Sequence, residues 1–408
     1  MYIIRYIEGH VTRVSGSFPV VLVTGARQVG KTTLMKELAS REGIDRGYVS
    51  LDEFGPRSMA QDDPALFWQR YQAPVVVDEI QHAPGLLEHL KPVVDRSEQR
   101  GGFWLTGSQS FPLMRDVSES LAGRAGIVTL MGLSAAEAAE REAVASPFRP
   151  DRLTDLATNA AADLLAVFRA ITRGGFPRLA HPDAPALETF YDSYLQTYIE
   201  RDVRSLLNIS NLAAFRRFLR VLAARTGQLL NISDASRDVG VAVSTAKEWL
   251  HLLEATHQVY LLRPYFENIG KRQIKTPKMY FVDTGLACHL TGWRTAESAS
   301  AGAMAGSLLE TFVVAEVLKS YRHRGREAPI WFYRDKERNE VDVVIAEDGL
   351  LFPVEVKLSA TPDRSALSGV RAVGRTGAKL GRGAVVCMTD RPFSLSEDVD
   401  AVPVSAIV

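Results

Sequence analysis

Residues 20–33 read VVLVTGARQVGKTT, and this run constrains the surrounding chain more than any other. A β-branched stretch leads into G-x-x-x-x-G-K-T, Gly25 to Thr32, and the helical pattern KTTLMKELAS follows. That order of strand, glycine-rich turn and helix is the setting a phosphate-binding loop requires. Gly25 and Gly30 let the backbone curl through Ala26, Arg27, Gln28 and Val29, so that successive N–H groups and the helix N-terminus surround phosphates. The cradle runs on through Lys31, Thr32 and Thr33: Lys31 is expected to reach the β and γ phosphates of ATP, and the Thr32 hydroxyl to ligate Mg²⁺.

A second buried strand, PVVVDE at 74–79, ends in two acids. Asp78 stands where an aspartate holds the Mg²⁺ shell, and Glu79 where a carboxylate orients and deprotonates the attacking water. A further strand, GYVSLDE at 47–53, lies between the two motif strands and is expected to separate them. FWLTGSQ at 103–109 and GIVTL at 126–130 read as the fourth and fifth strands, the fourth ending in Thr106 and Ser108.

Together GARQVGKTT, VVVDEI, WLTGSQ and SLAGR resemble the prokaryotic AAA-type ATPases that carry a C-terminal domain of unassigned function. The resemblance implies that Ser108, at the end of the fourth strand, senses the γ-phosphate. It also implies that Arg124, just ahead of the fifth, serves as a finger for a neighbouring subunit, and so an oligomer. A turn serine and an ordinary surface arginine would look the same.

From Ser134 the pattern turns helical and Ala-rich, and helical segments at about 161–172, 187–206 and 211–225 fit a lid and linker, broken at Gly174-Gly175-Phe176-Pro177. Residues 228–265 have the form of helix, turn at Gly240, helix and strand, which resembles a winged helix. Ala246, Trp249, Leu250 and Leu253 form the buried stripe of its second helix. The other face carries Ser244, Thr245, Lys247, Glu248, His251 and Glu254. One lysine against two glutamates is a poor surface for phosphate, so a structural or protein-contact role is favoured for this helix. Two basic clusters, Lys271, Arg272, Lys275 and Lys278, then Lys319, Arg322, Arg324 and Arg326, are either nucleic-acid contacts or solvated basic runs.

The same ATPase family carries the pattern KR-x-x-K-x-PK-x-Y-x-x-D-x-GL, matched from Lys271 to Leu286, and the resemblance then covers nearly the whole chain. In EVDVVIAEDGLLFPVEVKL, Glu340 to Leu358, an aspartate interrupts an apolar strand and Glu355 and Lys357 stand two apart on one strand face. The Glu347-Asp348-Gly349 turn would fold the two strands together. The stretch resembles the D…E-x-K core of the restriction-endonuclease-like fold, which implies that Asp342 and Glu355 hold a metal ion, that Lys357 positions water, and that Glu310, or less well Glu316, adds an acid from the preceding helix. The other reading is a cross-strand salt bridge of Lys357 with Asp342 or Glu355.

The expected fold class is α/β: a P-loop AAA-type parallel sheet at 1–133, a helical lid and linker at 134–226, a winged-helix-like module at 227–268 and a restriction-endonuclease-like domain at 269–408. Lys plus Arg equals Asp plus Glu, 48 against 48, so any polyanion binding must come from local patches. No apolar run approaches the ~20 residues of a membrane helix, and Cys288 and Cys387 lack metal or disulfide spacing, so a cytoplasmic protein without a membrane partner is expected. The functional expectation is ATP binding and hydrolysis, with Mg²⁺, coupled to a nucleic-acid-binding or nuclease-like C-terminal half. The alternative is an ATP-dependent signalling or regulatory switch whose C-terminal half binds a protein partner.

Overall fold

The computed structural model describes residues 2–97, 99–107, 117, 119–142, 146–155, 163–198, 211–265 and 276–407. At its N-terminal end β1 (Val20–Thr24), β2 (Gly47–Ser50), β3 (Val75–Asp78), β4 (Phe103–Thr106) and β5 (Ala125–Thr129) form a parallel sheet in the order β2-β3-β4-β1-β5. Both faces are covered. Val20, Leu22, Val75 and Val77 pack on one side with Trp68, Leu86 and Leu90, while Val21, Val23 and Val76 pack on the other with Val11, Leu34 and Met35. That is why these strands read as unbroken valine runs rather than alternating ones. The five expected strands form, with one difference. The strand that separates β1 from β3 is β4, whereas β2, which intervenes only in sequence, lies at the sheet edge.

Beyond the sheet, helices Leu164–Arg173, Leu187–Tyr198 and Leu212–Ala223 lead to the pair Ile232–Val239 and Val243–Ala255. Gly240 closes the first of that pair at φ 78°, a left-handed conformation that a glycine adopts without strain. As the stripe required, Trp249 is buried edge-on against Phe215 and Phe218, at centroid distances of 5.3 and 5.4 Å. A small antiparallel sheet follows, β6 (Gln228–Leu229), β8 (Lys278–Phe281) and β7 (Val259–Leu262), ordered β6-β8-β7. Because β8 pairs with β7, this sheet runs across position 268, where a domain boundary was expected.

The 18-residue helix Ala305–Arg322 then precedes the meander β9 (Ile330–Arg334), β10 (Glu340–Glu347) and β11 (Leu350–Val356). Helix Ser368–Gly374 crosses to β12 (Gly383–Cys387), parallel to β11, and the hairpin β13 (Phe393–Ser396) and β14 (Val399–Pro403) completes a sheet ordered β13-β14-β12-β11-β10-β9. Asp348 and Gly349 sit at φ 56° and 74°, so the expected turn is a tight two-residue hairpin. One buried cluster joins Phe215, Trp249, Tyr280, Phe312, Phe332 and Val354. The middle and C-terminal parts therefore share a core.

Removing a ring from that shared core leaves a cavity lined by two other rings. Trp249→Ala is expected to cost about 3–5 kcal/mol, read as a lowered denaturant midpoint of the full chain, whereas Lys247→Ala on the exposed face of the same helix should stay within about 0.5 kcal/mol.

Candidate functional site

The phosphate loop emerges where β1 ends and helix Lys31–Arg41 begins. Gly25 is held at φ 143°, and a Cβ there would lie 2.1 Å from the Leu130 carbonyl oxygen, so no other residue fits. Gly30 at φ 95° turns the chain into the helix. Lys31 is buried and donates from Nζ to the carbonyls of Gly25 (3.1 Å) and Ala26 (3.0 Å), which folds its ammonium over the loop.

Thr32 Oγ1 donates to Asp78 Oδ1 at 2.9 Å, so the two residues expected to share Mg²⁺ adjoin. Asp78 also accepts from Tyr48 Oη (3.0 Å) and from Thr106 Oγ1. Burial first, then Asp78, pushes the Tyr48 hydroxyl up to about 12, and it remains a donor. A hydroxyl beside a buried carboxylate, on the strand next but one to the loop, is an oxygen donor set suited to Mg²⁺. Glu79 sits at φ 60°, ψ 48°, its N–H bonded to Thr106 Oγ1 (3.2 Å) and its carboxylate to Gln81. A non-glycine residue held in this region marks a constrained position, and here it turns the acid off the strand axis. Arg124 makes a bidentate pair with Asp95, at 2.5 and 3.0 Å, and would have to release it to reach a neighbouring subunit. Ser108 lies outside the described residues. Tyr48 and Thr106 are the site residues the sequence did not assign; nothing marks Tyr48, on an edge strand, while Thr106 ends the fourth strand level with Asp78.

Downstream of β5 the backbone from Leu130 to Glu137 touches the loop on one side and the C-terminal half on the other. Arg5 donates to Val29 O (3.0 Å) and Met131 O (2.7 Å) and pairs with Glu137 (3.3 Å). Leu133 N donates to Gly175 O, and Lys319 Nζ reaches Leu133 O (3.0 Å) and Glu316 (2.8 Å). Glu316 also accepts from Ala135 N at 3.0 Å. Glu316 thus belongs to this junction and does not substitute for Glu310. A small cavity at the junction is lined by Ala26, Val29, Phe176, His257 and Lys319. Burial, then Arg322 and Lys31, lower His257 to about 4, so it faces the loop as a neutral ring. The junction was not foreseen from the sequence; the signal that could have marked it is the capping box Ser134-x-x-Glu137, which forms in full.

At the far end of helix Ala305–Arg322 a second charged group assembles. A bulge in β10 sets Asp342 and Val343 opposite Phe332 alone, between the pairs Val341–Tyr333 and Val344–Trp331. Bulges re-aim side chains, and this one explains an aspartate inside VDVVI. Asp342 accepts from Val356 N (3.0 Å) and, continuing the register of β10 with β11, lies level with Glu355. Lys278 Nζ stands amid Glu340 (2.5 Å), Glu310 (2.8 Å) and Asp342 (3.2 Å), and Tyr280 donates to Glu310 at 2.6 Å. Burial opposes the Lys278 charge, yet Asp342, Glu310 and Glu340 hold it above its ordinary value. Lys357 pairs with Glu355 at 2.5 Å, while Glu355 Oε2 is buried with no hydrogen-bond partner among the described residues. Asp342, Glu310, Glu355 and Lys357 are therefore neighbours, but among the described residues no three His, Cys, Asp or Glu side chains converge on a metal position. The sequence showed Lys278 in a basic run and in the family pattern from Lys271 to Leu286, with no role assigned to it.

Lys271, Arg272 and Lys275 lie outside the described residues, Lys278 and Lys319 are buried, Arg322 pairs with Glu327 and Arg326 with Glu347. No helix among the described residues is long and apolar enough to cross a membrane.

A family model described as an AAA domain matches residues 17–139. Two models, each a "Domain of unknown function", DUF8612 and DUF4143, match 165–297 and 305–407. "Uncharacterized protein Mb2031c" of Mycobacterium bovis and "Uncharacterized protein Rv2008c" of Mycobacterium tuberculosis are each 31% identical to this chain over 399 residues, covering 96% of it and 81% of their own length. Among solved structures, the Walker-type ATPase PABY2304 of Pyrococcus abyssi overlays loosely, with a TM-score of 0.42 at 14% identity over 70% of this chain and 94% of its own. The RuvB Holliday junction branch migration motor of Thermotoga maritima gives 0.30 at 20% identity over 63% and 88%.

The carboxylate group at Lys278 has a consequence for stability. Burial, then Asp342, pushes Glu310 up to about 7 and Glu355 up to about 8, from an ordinary 4.5. The folded state therefore holds protons that the unfolded chain releases, and the stability present below pH ~4.5 is lost as pH rises through about 7 and 8. In chelator-treated buffer the thermal midpoint of the full chain should fall between about pH 5.5 and 8.5, and Glu355→Gln should flatten that fall. An unchanged slope in Glu355→Gln would refute this assignment.

Proposed function

The chain belongs to the family of the two mycobacterial proteins, AAA-type P-loop ATPases with a C-terminal domain of unknown function, and from that premise we propose that its nucleotide state controls the C-terminal half. The observation that carries the proposal is the junction at Leu130–Glu137. The same eight residues hold the phosphate loop through Gly25 and Arg5, and hold helix Ala305–Arg322 through Glu316 and Lys319.

At the nucleotide site, Gly25 to Thr33 would cradle the phosphates, Lys31 would leave its loop carbonyls to pair with phosphate oxygens, and Thr32 with Asp78 would hold Mg²⁺. Bound Mg²⁺ neutralises phosphate charge. Glu79 accepts the proton of the attacking water, and its release from Gln81 frees the carboxylate for that task. Ser108 as γ-phosphate sensor and Arg124 as a finger across a subunit boundary remain part of this reading.

For the C-terminal half the leading reading is a nucleic-acid-binding, nuclease-like site of Asp342, Glu355, Glu310 and Lys357. Its support is the order helix, three-stranded meander, crossover helix and parallel strand, together with the unpartnered Glu355 Oε2. A specific observation favours a second reading. The Lys278 ammonium occupies the centre of Asp342, Glu310 and Glu340, as an internal counter-ion where a divalent cation would compete. A domain built this way would bind a protein partner, or bind nucleic acid without cutting it.

Two tests follow from the two sites. Lys31→Ala should abolish ATP hydrolysis, whereas Glu79→Gln should keep ATP affinity and slow turnover about 10²- to 10⁴-fold; hydrolysis at the wild-type rate in both would remove the mechanism. For the C-terminal half, Mg²⁺ or Mn²⁺ should raise the thermal midpoint of the nucleotide-free chain through binding to the native state, and Asp342→Ala or Glu355→Ala should abolish the rise. Metal-dependent nicking of a nucleic-acid panel, lost in Lys357→Ala, would establish the leading reading, and no metal response at all would establish the second.

A further inference from the structure

The Arg5 side chain is 4% exposed, with Glu137 at 1% and His323 at 0%, and these three buried groups join the phosphate loop to the end of the C-terminal helix. We infer that Arg5 is a positioning residue for ATP phosphates, and that Glu137 makes its hold dependent on the C-terminal domain through His323. This inference rests on the ATPase reading and specifies where the coupling is made.

The argument begins with one peptide plane. In a trans peptide the C=O and the next N–H point in opposite directions. Arg5 Nη1 draws the Val29 carbonyl outward at 3.0 Å, and so aims the Gly30 N–H to the opposite side, into the curl where phosphates bind. Nη2 ties the same guanidinium to Met131 O at 2.7 Å, and the Cβ position at Gly30 is only 3.9 Å from Nη1. The loop thus leans on a planar, fixed fork of donors, which a lysine point charge would not reproduce.

A buried guanidinium needs a counter-charge. Glu137 supplies it, with Oε1 3.3 Å from Arg5 Nε and 2.8 Å from Tyr6 N, and Oε2 2.9 Å from Ser134 N. His323, just past the end of helix Ala305–Arg322, sets Nδ1 3.2 Å from Glu137 Oε2 without hydrogen-bond alignment, and its Nε2 is buried and unpartnered. Burial takes the ring down to about 4 against the pull of Glu137. A neutral ring pressed on the carboxylate, rather than an ion pair, is a contact that a small helix shift makes or breaks. Moving the helix end toward Glu137 tightens the carboxylate on Arg5; moving it away lets Glu137 follow and slackens the loop.

The experiment measures binding of a non-hydrolysable ATP analogue and steady-state ATPase kinetics on the full chain. Measurable analogue binding by the wild type establishes that the ATPase reading stands before any variant is judged. Arg5→Gln should then weaken analogue binding about tenfold, and Arg5→Lys should recover only part of it. Glu137→Gln removes the charge and leaves one amide oxygen to accept from either Tyr6 N or Ser134 N, and His323→Gln lies in the C-terminal domain. Each should raise KM for ATP about three- to tenfold with unchanged active-site concentration, a split that mere loss of folded protein would not produce. The double variant Arg5→Gln/His323→Gln should be no weaker than Arg5→Gln alone. Wild-type affinity in folded Glu137→Gln and His323→Gln, or full additivity in the double variant, overturns the inference. Should those variants not fold, amide exchange of the wild type decides: the analogue should raise protection at both 130–137 and 316–323, and a change confined to the phosphate loop overturns it.

Discussion

Gly25 packs so closely on the Leu130 carbonyl that the phosphate loop cannot be placed without also placing the chain that leaves β5. That chain, Leu130 to Glu137, has little latitude of its own. Gly132 faces the Gly175 carbonyl with no room for a side chain, Leu133 bonds Gly175 in one direction and Lys319 in the other, and Glu137 closes a capping box while pairing with Arg5. Backbone that is hydrogen-bonded on both sides cannot shift one neighbour and leave the other in place. The nucleotide site, the Gly174–Pro177 break and the C-terminal helix are therefore one mechanical assembly, although they come from three separate stretches of sequence.

Charge buried at this assembly and at the Lys278 group is balanced in different ways. At the junction, Lys319 and Glu316 form a buried pair and each also bonds backbone, so desolvation is offset by hydrogen bonds as well as by attraction. Around Lys278 the count is unequal, one ammonium to Asp342, Glu310 and Glu340, with Lys357 added beside Glu355. Burial first, and then the surplus of carboxylates, explains why Glu310 and Glu355 hold protons well above their ordinary range, whereas a buried lysine keeps its charge. Among the described residues, Glu355 Oε2 is the one carboxylate oxygen left buried without a hydrogen-bond partner.

What the sequence made legible was chemistry that is local in the chain. The strand, loop and helix of 20–41, the acids closing VVVDE, the buried stripe on Val243–Ala255 and the Asp348-Gly349 turn all follow from spacing within a dozen residues. The β4 insertion between β1 and β3 was not legible, because strand order depends on crossovers rather than on strand identity. Nor was the bulge at Asp342, since an extra residue is defined by the partner strand. Lys278 and Lys319 misled for a common reason: a cation in a run looks solvated, and only tertiary packing shows that its partners lie up to 186 residues away. Glu310 and Glu316, six apart on one helix, read as first and second choice for the same acid. They point to opposite tasks, since about 100° per residue puts them some 240° apart around the helix.

That angular separation is also what makes helix Ala305–Arg322 suited to coupling. It is buried along most of its length, carries no proline, and presents Glu310 to the Lys278 group and Glu316, Lys319 and His323 to the junction. From Glu310 to His323 the rise is about 20 Å at 1.5 Å per residue, far too great for direct contact between the two charged groups. A continuous, well-packed helix moves as a body rather than absorbing displacement in a kink. Its shared core with Phe215, Trp249 and Phe332 means that any such movement must repack the middle helices too. Close-packed interiors respond by switching between discrete arrangements, so under the proposed coupling the expected response of the C-terminal half to nucleotide is a change of population between two packings rather than a graded drift.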